Sequence, residues 1–266
     1  MASRLPRTAP AFPPLASGLV VLSWITLLVW DASPYARYLN HGDWSAIGLG
    51  AVVCASVPGG TWLVPVLLYG SGWLLMSAAM MLPTSLPLIR MFDRMISGRS
   101  DRAVLHGLLI SGYLLAWAGF GVAAHLLDRV MHAGLGGWVW LAAHPWTPGA
   151  VVLGLAGAFQ FSRLKYHCLD KCRTPRGFIM SHWHGPHPWH DAFSLGLAHG
   201  AWCVGCCWAV MLLMFVVGVG NVGWMLALGS LMAIEKNAAW GRRMSQPLGF
   251  ALLAWAGTIA TVNVLT

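Results

Sequence analysis

Charge is what this sequence has least of. Asp, Glu, Lys and Arg make up 9% of its 266 residues, against 58% hydrophobic, where a soluble domain carries about 25% charged residues. An ordinary soluble domain is excluded. Alternating apolar and polar runs are also lacking. The apolar stretches are continuous, which excludes a transmembrane β-barrel and leaves an all-α, polytopic transmembrane helix bundle. Three motifs are absent from the sequence as well. Without a Gly-rich phosphate loop there is no ATP-driven pump. Without Cys-x-x-Cys-His there is no covalent haem. Without paired intramembrane carboxylates there is no familiar proton-coupling device.

The net charge is +8. In a membrane protein such an excess reports topology, and it carries no implication of nucleic-acid binding. Arg4 and Arg7 precede the first apolar stretch. Arg90, Arg94, Arg99 and Arg102 follow the second. Arg163, Lys165, Lys171, Arg173 and Arg176 follow the fourth, and Lys236, Arg242 and Arg243 the sixth. With seven crossings these fourteen of the sixteen basic residues fall on one side, and only Arg37 and Arg129 on the other. The positive-inside rule then predicts a cytoplasmic N-terminus and an external C-terminus. Cys168 and Cys172 thereby lie on the reducing side, where ligation or catalysis is expected rather than a structural disulfide.

The expected spans are 15–30, 62–82, 103–127, 148–164, 193–217, 222–234 and 248–265, forming one transmembrane domain over 15–266 behind a disordered tail at 1–14. The first resembles a signal-peptide core, but no small-x-small site closes it, so an uncleaved anchor is expected. Residues 44–57 are apolar but short, which suits an interfacial or re-entrant piece. Trp138, Trp140 and Trp146 suit the headgroup level.

Five of the six cysteines fall within 40 residues. In His199-Gly-Ala-Trp-Cys203-Val-Gly-Cys206-Cys207, the three- and four-residue spacings put His199, Cys203 and either Cys206 or Cys207 on one helical stripe. Cys203 lies ten residues into its span, roughly 15 Å along a ~30 Å hydrocarbon core. Thiol and imidazole suit copper(I), zinc or an iron–sulfur cluster. The ordinary alternative is packing, since cysteine is a small hydrophobe. Met76 and Met80 share a stripe on the second span and could add thioether ligands or simply fill the core. Cys168-x-x-x-Cys172 is looser than a zinc-ribbon pair, and its basic neighbours should lower the thiol pKa. His182, His184, His187 and His190 could form a second metal site, or a polar loop near the headgroups. Glu235 is expected either to support a ligand or to pair with Lys236 or an arginine. His106 and His125 read as satisfied interior histidines.

Four ordered motifs carry a family resemblance. They are Met76-x-x-Ala79-Met80-Met81-Leu-Pro83 with Pro87; Tyr113-x-x-x-Trp117-x-x-Phe120; Gly157-Ala-Phe-Gln160-x-x-x-x-Lys165-x-x-Cys168-Leu-x-x-Cys172-Arg173-x-Pro175; and Gly196-x-x-x-Gly200-x-x-Cys203-Val-Gly205-Cys206-Cys207-Trp208-x-x-Met211, with Met225 and Glu235-Lys236 after it. Together, over roughly residues 60–240, they are similar to a bacterial domain-of-unknown-function family described as predicted metal-binding integral membrane proteins, some labelled copper chaperones. The resemblance implies a helical membrane protein with bound metal, copper first and zinc or iron as alternatives. Two departures stand out: Gly218-Val-Gly-Asn221 lacks the Met expected before Asn, and the histidine run is an addition of this chain.

The expectation that follows is a multi-pass protein of the bacterial cytoplasmic membrane that binds copper(I) and delivers it to a membrane cuproenzyme. Its partners would be the lipid bilayer and that enzyme or a larger membrane complex. Two alternatives stay open: a metal-dependent membrane oxidoreductase or monooxygenase component, and a structural accessory subunit of a membrane complex.

Overall fold

A computed structural model describes residues 14–33, 63–135, 144, 146–217 and 221–265. The expected tail up to residue 13, the apolar piece at 44–57, Trp138, Trp140 and the Gly218–Gly220 departure lie outside the described residues.

Every regular element among the described residues is helical. In chain order they are α1 (Pro14–Asp31), α2 (Leu63–Met81), a 3-10 turn at Pro83–Ser85, α3 (Leu86–Met95), α4 (Arg102–Leu135), α5 (Thr147–Phe159), α6 (Arg163–Arg173), α7 (Pro175–His182), α8 (Pro188–Val217), α9 (Val222–Asn237), a 3-10 turn at Gly241–Met244, and α10 (Ser245–Leu265). Five helical stretches are long and apolar enough to cross a membrane: Pro14–Asp31, Tyr69–Met95, Arg102–Leu127, Pro188–Val216 and Gly241–Leu265. α5, with 13 residues, and α9, with 16, are shorter.

The helix ends follow local chemistry. Ser162 accepts the Lys165 N–H at 3.1 Å to start α6, and Asn221 accepts the Trp224 N–H at 3.1 Å to start α9, each an N-cap satisfying an otherwise orphaned donor. The helix α2 ends at Met81, next to the expected Leu82, but the apolar stretch continues beyond the prolines to Met95. Pro87 cannot donate, and its ring would strike the carbonyl four residues back, so the chain takes one 3-10 turn and resumes as α3.

The heart of the bundle is α8 against α4. Gly112, Gly196 and Gly200 let the two backbones touch: a Cβ on Gly200 would lie 2.8 Å from the Tyr113 carbonyl, and one on Gly112 2.8 Å from the Leu197 nitrogen. Small residues at such contacts are the usual device for close packing in lipid, where no hydrophobic force drives helices together. α6 and α5 lie on α8, α10 packs along α5, and α9 closes the site from the side of α2 and the Pro83–Ser85 turn. Trp73 donates its indole N–H to the Trp117 carbonyl at 3.0 Å, locking α2 to α4.

Candidate metal centre

The helix break after α2 prepares the first half of the site. The Ser85 N–H turns to the Leu82 carbonyl, so it does not serve the Met81 carbonyl as it would in a continuous helix. That freed acceptor takes the Thr84 hydroxyl at 2.8 Å and the Tyr113 hydroxyl, from α4, at 3.1 Å. Tyr113 Oη lies 3.0 Å from Cys203 Sγ on α8, and the Lys236 ammonium, from α9, donates to the same sulfur at 2.8 Å. Lys236 also donates to Thr84 Oγ1 at 3.2 Å. Three helices and the break therefore converge on Cys203, which is fully buried.

The second half lies on the next turn of α8. The Cys206 and Cys207 thiols donate to the Cys203 carbonyl at 3.1 and 2.8 Å, and their sulfurs are 3.6 Å apart. Cys172 Sγ, on α6, approaches Cys206 Sγ to 3.9 Å. Cys168 packs on Gly205, where a Cβ would lie 2.7 Å from its sulfur. That contact requires glycine and lets α6 settle against α8. The two cysteine groups, whose contact the sequence left open, meet in the fold, and Cys206 is the residue through which they meet. All five described cysteines are free.

The expected stripe divides in three directions. Cys203 faces Tyr113 and Lys236, and Cys206 faces α6. His199 places Nε2 3.3 Å from Ser85 Oγ and stacks on Tyr113, while its Nδ1 is buried with no hydrogen-bond partner among the described residues. Met76 and Met80 are buried, with Met80 packed toward Gly229 of α9. Among the described residues, no group of three or more His, Cys, Asp or Glu side chains is arranged to hold a metal ion.

The histidine run is at the surface. His182 Nδ1 lies 2.9 Å from the Phe178 carbonyl and its ring stacks on Phe178. His184, His187 and His190 are exposed. Asp191 shapes this turn by accepting the His184 and Gly185 N–H groups at 2.9 and 2.8 Å. His106 Nε2 lies 2.6 Å from Asp93 Oδ1, but its Nδ1 is buried without a partner among the described residues, so the expectation of a satisfied histidine holds for one nitrogen only. His125 packs on Tyr69 at 4.4 Å between ring centroids.

Two readings of the charged residues need correction. Among the described residues, Glu235 pairs with neither Lys236 nor an arginine side chain. Its carboxylate takes the fully buried Lys165 ammonium at 2.8 and 3.0 Å and the Ser245 hydroxyl at 2.8 Å, while Gln160 receives another Lys165 proton. Lys165 and Lys236, counted above as topology charges, are thus interior groups. Arg173 caps the carboxyl end of α9 through the Glu235, Ala238 and Ala239 carbonyls. The thiol of Cys168 is also not lowered by its basic neighbours. Burial pushes it up from its ordinary value, because Lys165 and Arg173 are spent on α9 and the sulfur has lost its water.

Sequence reasoning missed Tyr113, Thr84, Ser85, Lys165 and Lys236 as site residues. All of Tyr113, Lys165 and Lys236 stood within the resemblance motifs, Tyr113 with no role of its own and the two lysines as topology charges. The available signal was cost: a cation in a lipid-spanning interior is retained for function by default.

No curated protein and no solved structure matches the chain. A family described as copper chaperone (PpoB2) matches residues 71–259, which take in α3 to α9 and every cysteine and methionine of the site described above. The chain belongs to this copper chaperone family.

Proposed function

We propose that the chain is an integral protein of the bacterial cytoplasmic membrane that crosses it seven times from a cytoplasmic N-terminus, takes Cu(I) as cargo, and delivers it to a membrane cuproenzyme. The observation that carries this reading is the 3.9 Å approach of Cys172 to Cys206 in a chain of the copper chaperone family. It joins a half-buried thiol on α6 to the buried run on α8. Thiolates are soft donors that select Cu(I) over harder ions, and a pair of facing sulfurs is a docking point that a monovalent soft ion can use without a closed cage.

In this reading Cys168 and Cys172 receive the ion at the cytoplasmic mouth. Cys203, Cys206, Cys207 and His199 hold it inside the bundle, with the unpartnered His199 Nδ1 as the imidazole donor. Met76 and Met80 supply softer thioether ligands. The surface run of half-buried His182 and exposed His184, His187 and His190 is a separate imidazole site outside this route. The grouping of Arg90, Arg94, Arg99 and Arg102 with the α6 and α7 cations supports the orientation.

Copper content of the purified full-length protein tests the proposal. Stoichiometric copper is expected in the wild type and is lost in Cys203→Ser/Cys206→Ser, while replacing the four run histidines leaves the thiol-bound copper in place. A wild-type protein free of copper after growth and purification with it would overturn the reading.

A further inference from the structure

Beyond the thiols, the interior is lined with thioethers. Met76 and Met80 on α2, Met211 and Met214 on α8, and Met225 and Met232 on α9 are each at most 3% exposed and belong to one buried cluster with Cys203, Cys206 and Cys207. Their order along the helices matters more than their number. α8 leaves Cys203 and meets Met211 and Met214 eight and eleven residues later. α9, read backwards from Lys236, meets Met232 and Met225 four and eleven residues away. At 1.5 Å per residue, Met211 lies roughly 12 Å and Met214 roughly 16 Å along α8 from Cys203, while Met232 lies roughly 6 Å and Met225 roughly 16 Å along α9 from Lys236, whose ammonium reaches Cys203. α2 runs beside them: Met80 lies 3.6 Å from where a Gly229 Cβ would stand, and Met76 is one turn further on. The far end is closed by rings, with Phe215 5.8 Å from Trp73 and 6.2 Å from Tyr69.

A methionine in a core is ordinarily a gap filler. Here buried soft sulfurs stand on three helices, and along α8 and α9 they run in one direction away from Cys203 and Lys236. A thioether carries no proton to lose and no charge, so it can pass a soft monovalent cation along by ligand exchange alone. We propose that Met211, Met214, Met225 and Met232 extend Met76 and Met80 into a thioether ladder that leads Cu(I) from the thiol cluster toward the far end of the bundle. The ladder rests on the reading of Cu(I) as cargo and adds a direction to it.

The test is a Cu(I) titration of the full-length protein carrying selenomethionine, read by X-ray absorption at the selenium edge together with bound copper. Copper is expected beyond the thiol-bound portion, with selenium–copper scattering. A variant with Met211, Met214, Met225 and Met232 changed to Leu is expected to keep the thiol-bound copper and lose the additional portion. Methionine and leucine are close in volume, so the core is preserved. The paired variants Met211→Leu/Met214→Leu and Met225→Leu/Met232→Leu give the same comparison if the fourfold variant does not fold. Thiols loaded with copper beside a copper-free selenium edge would overturn the ladder alone, as would a fourfold variant that binds as much copper as the wild type. A protein whose thiols take no copper would overturn the cargo reading and the ladder with it.

Discussion

At the scale of single residues, the buried charges are the most demanding feature. Lys165 and Glu235 face each other at 2.8 Å with side chains 0% and 3% exposed. Taking two ions out of water costs several kcal/mol each, and only close pairing with further hydrogen bonds offsets it. Gln160 and Ser245 supply those bonds. Glu235→Gln leaves the Lys165 ammonium buried without its counter-charge and is expected to destabilise the protein by about 3–5 kcal/mol. Unfolding in detergent, followed by tryptophan fluorescence, measures it. Lys165→Met in the same chain should recover most of the loss, because an apolar side chain leaves no charge behind; no recovery would show that the pair is not the cause. This is also where the sequence was least legible. The cysteine spacings single out the thiols as a group, but spacing on one helix cannot say which neighbouring helix each thiol meets. A lysine beside a span end looks the same whether it snorkels to water or turns inward to a sulfur, as Lys236 does.

At the scale of elements, the break between α2 and α3 links backbone to site. Pro87 interrupts the helix, the Met81 carbonyl is freed, and Tyr113 takes it. Pro87→Ala should let the helix run through and return that carbonyl to the Ser85 N–H. A double-mutant cycle reads the consequence. Tyr113→Phe is expected to cost about 0.5–1.5 kcal/mol in the parent chain and close to nothing beside Pro87→Ala. Equal costs in both backgrounds would separate the break from the site. A second element-level tie lies at the start of α8. Asp101 takes Arg99 in a two-pronged pair at 2.8 and 2.9 Å and accepts the Trp189 indole N–H at 3.1 Å, fastening the start of α8 to the turn before α4. The hydrogen-bonded Arg99 guanidinium holds the Asp101 carboxyl down from 3.8 to about 2. A carboxyl lowered in the folded state contributes stability that is complete above its unfolded value and is lost as pH falls through its folded one. The Trp189 signal should therefore change only as pH drops from 3.8 toward about 2, and Asp101→Asn should abolish that transition. The effect on global stability is small because the pair is exposed to solvent screening.

At the scale of the whole molecule, a helix stands at each of the seven places where the sequence has a continuous apolar run, and five of these stretches are long and apolar enough to cross a membrane. Their boundaries were less legible. The helix α8 begins at Pro188, ahead of the expected start at 193, and the second apolar stretch runs past its prolines to Met95. α5 and α9, at 13 and 16 residues, extend about 20 and 24 Å at 1.5 Å per residue, short of a ~30 Å core. Both lie among longer helices, where a short element can be accommodated by its neighbours. The thiol cluster inherits this arrangement. It is built where the short α9 ends, so that Glu235 and Lys236 sit inside the protein beside the break in the second stretch.

The central claim is that the α6 and α8 thiols act as one Cu(I) site. A competition titration of Cu(I) between the protein and a coloured Cu(I) chelator tests it, using Cys172→Ser, Cys206→Ser and the double variant. Residues sharing one ligand give non-additive losses. The expected result is a large loss of affinity in each single variant and no further loss in the double. Additive losses, or Cu(I) affinity unchanged when either thiol is removed, would contradict the account.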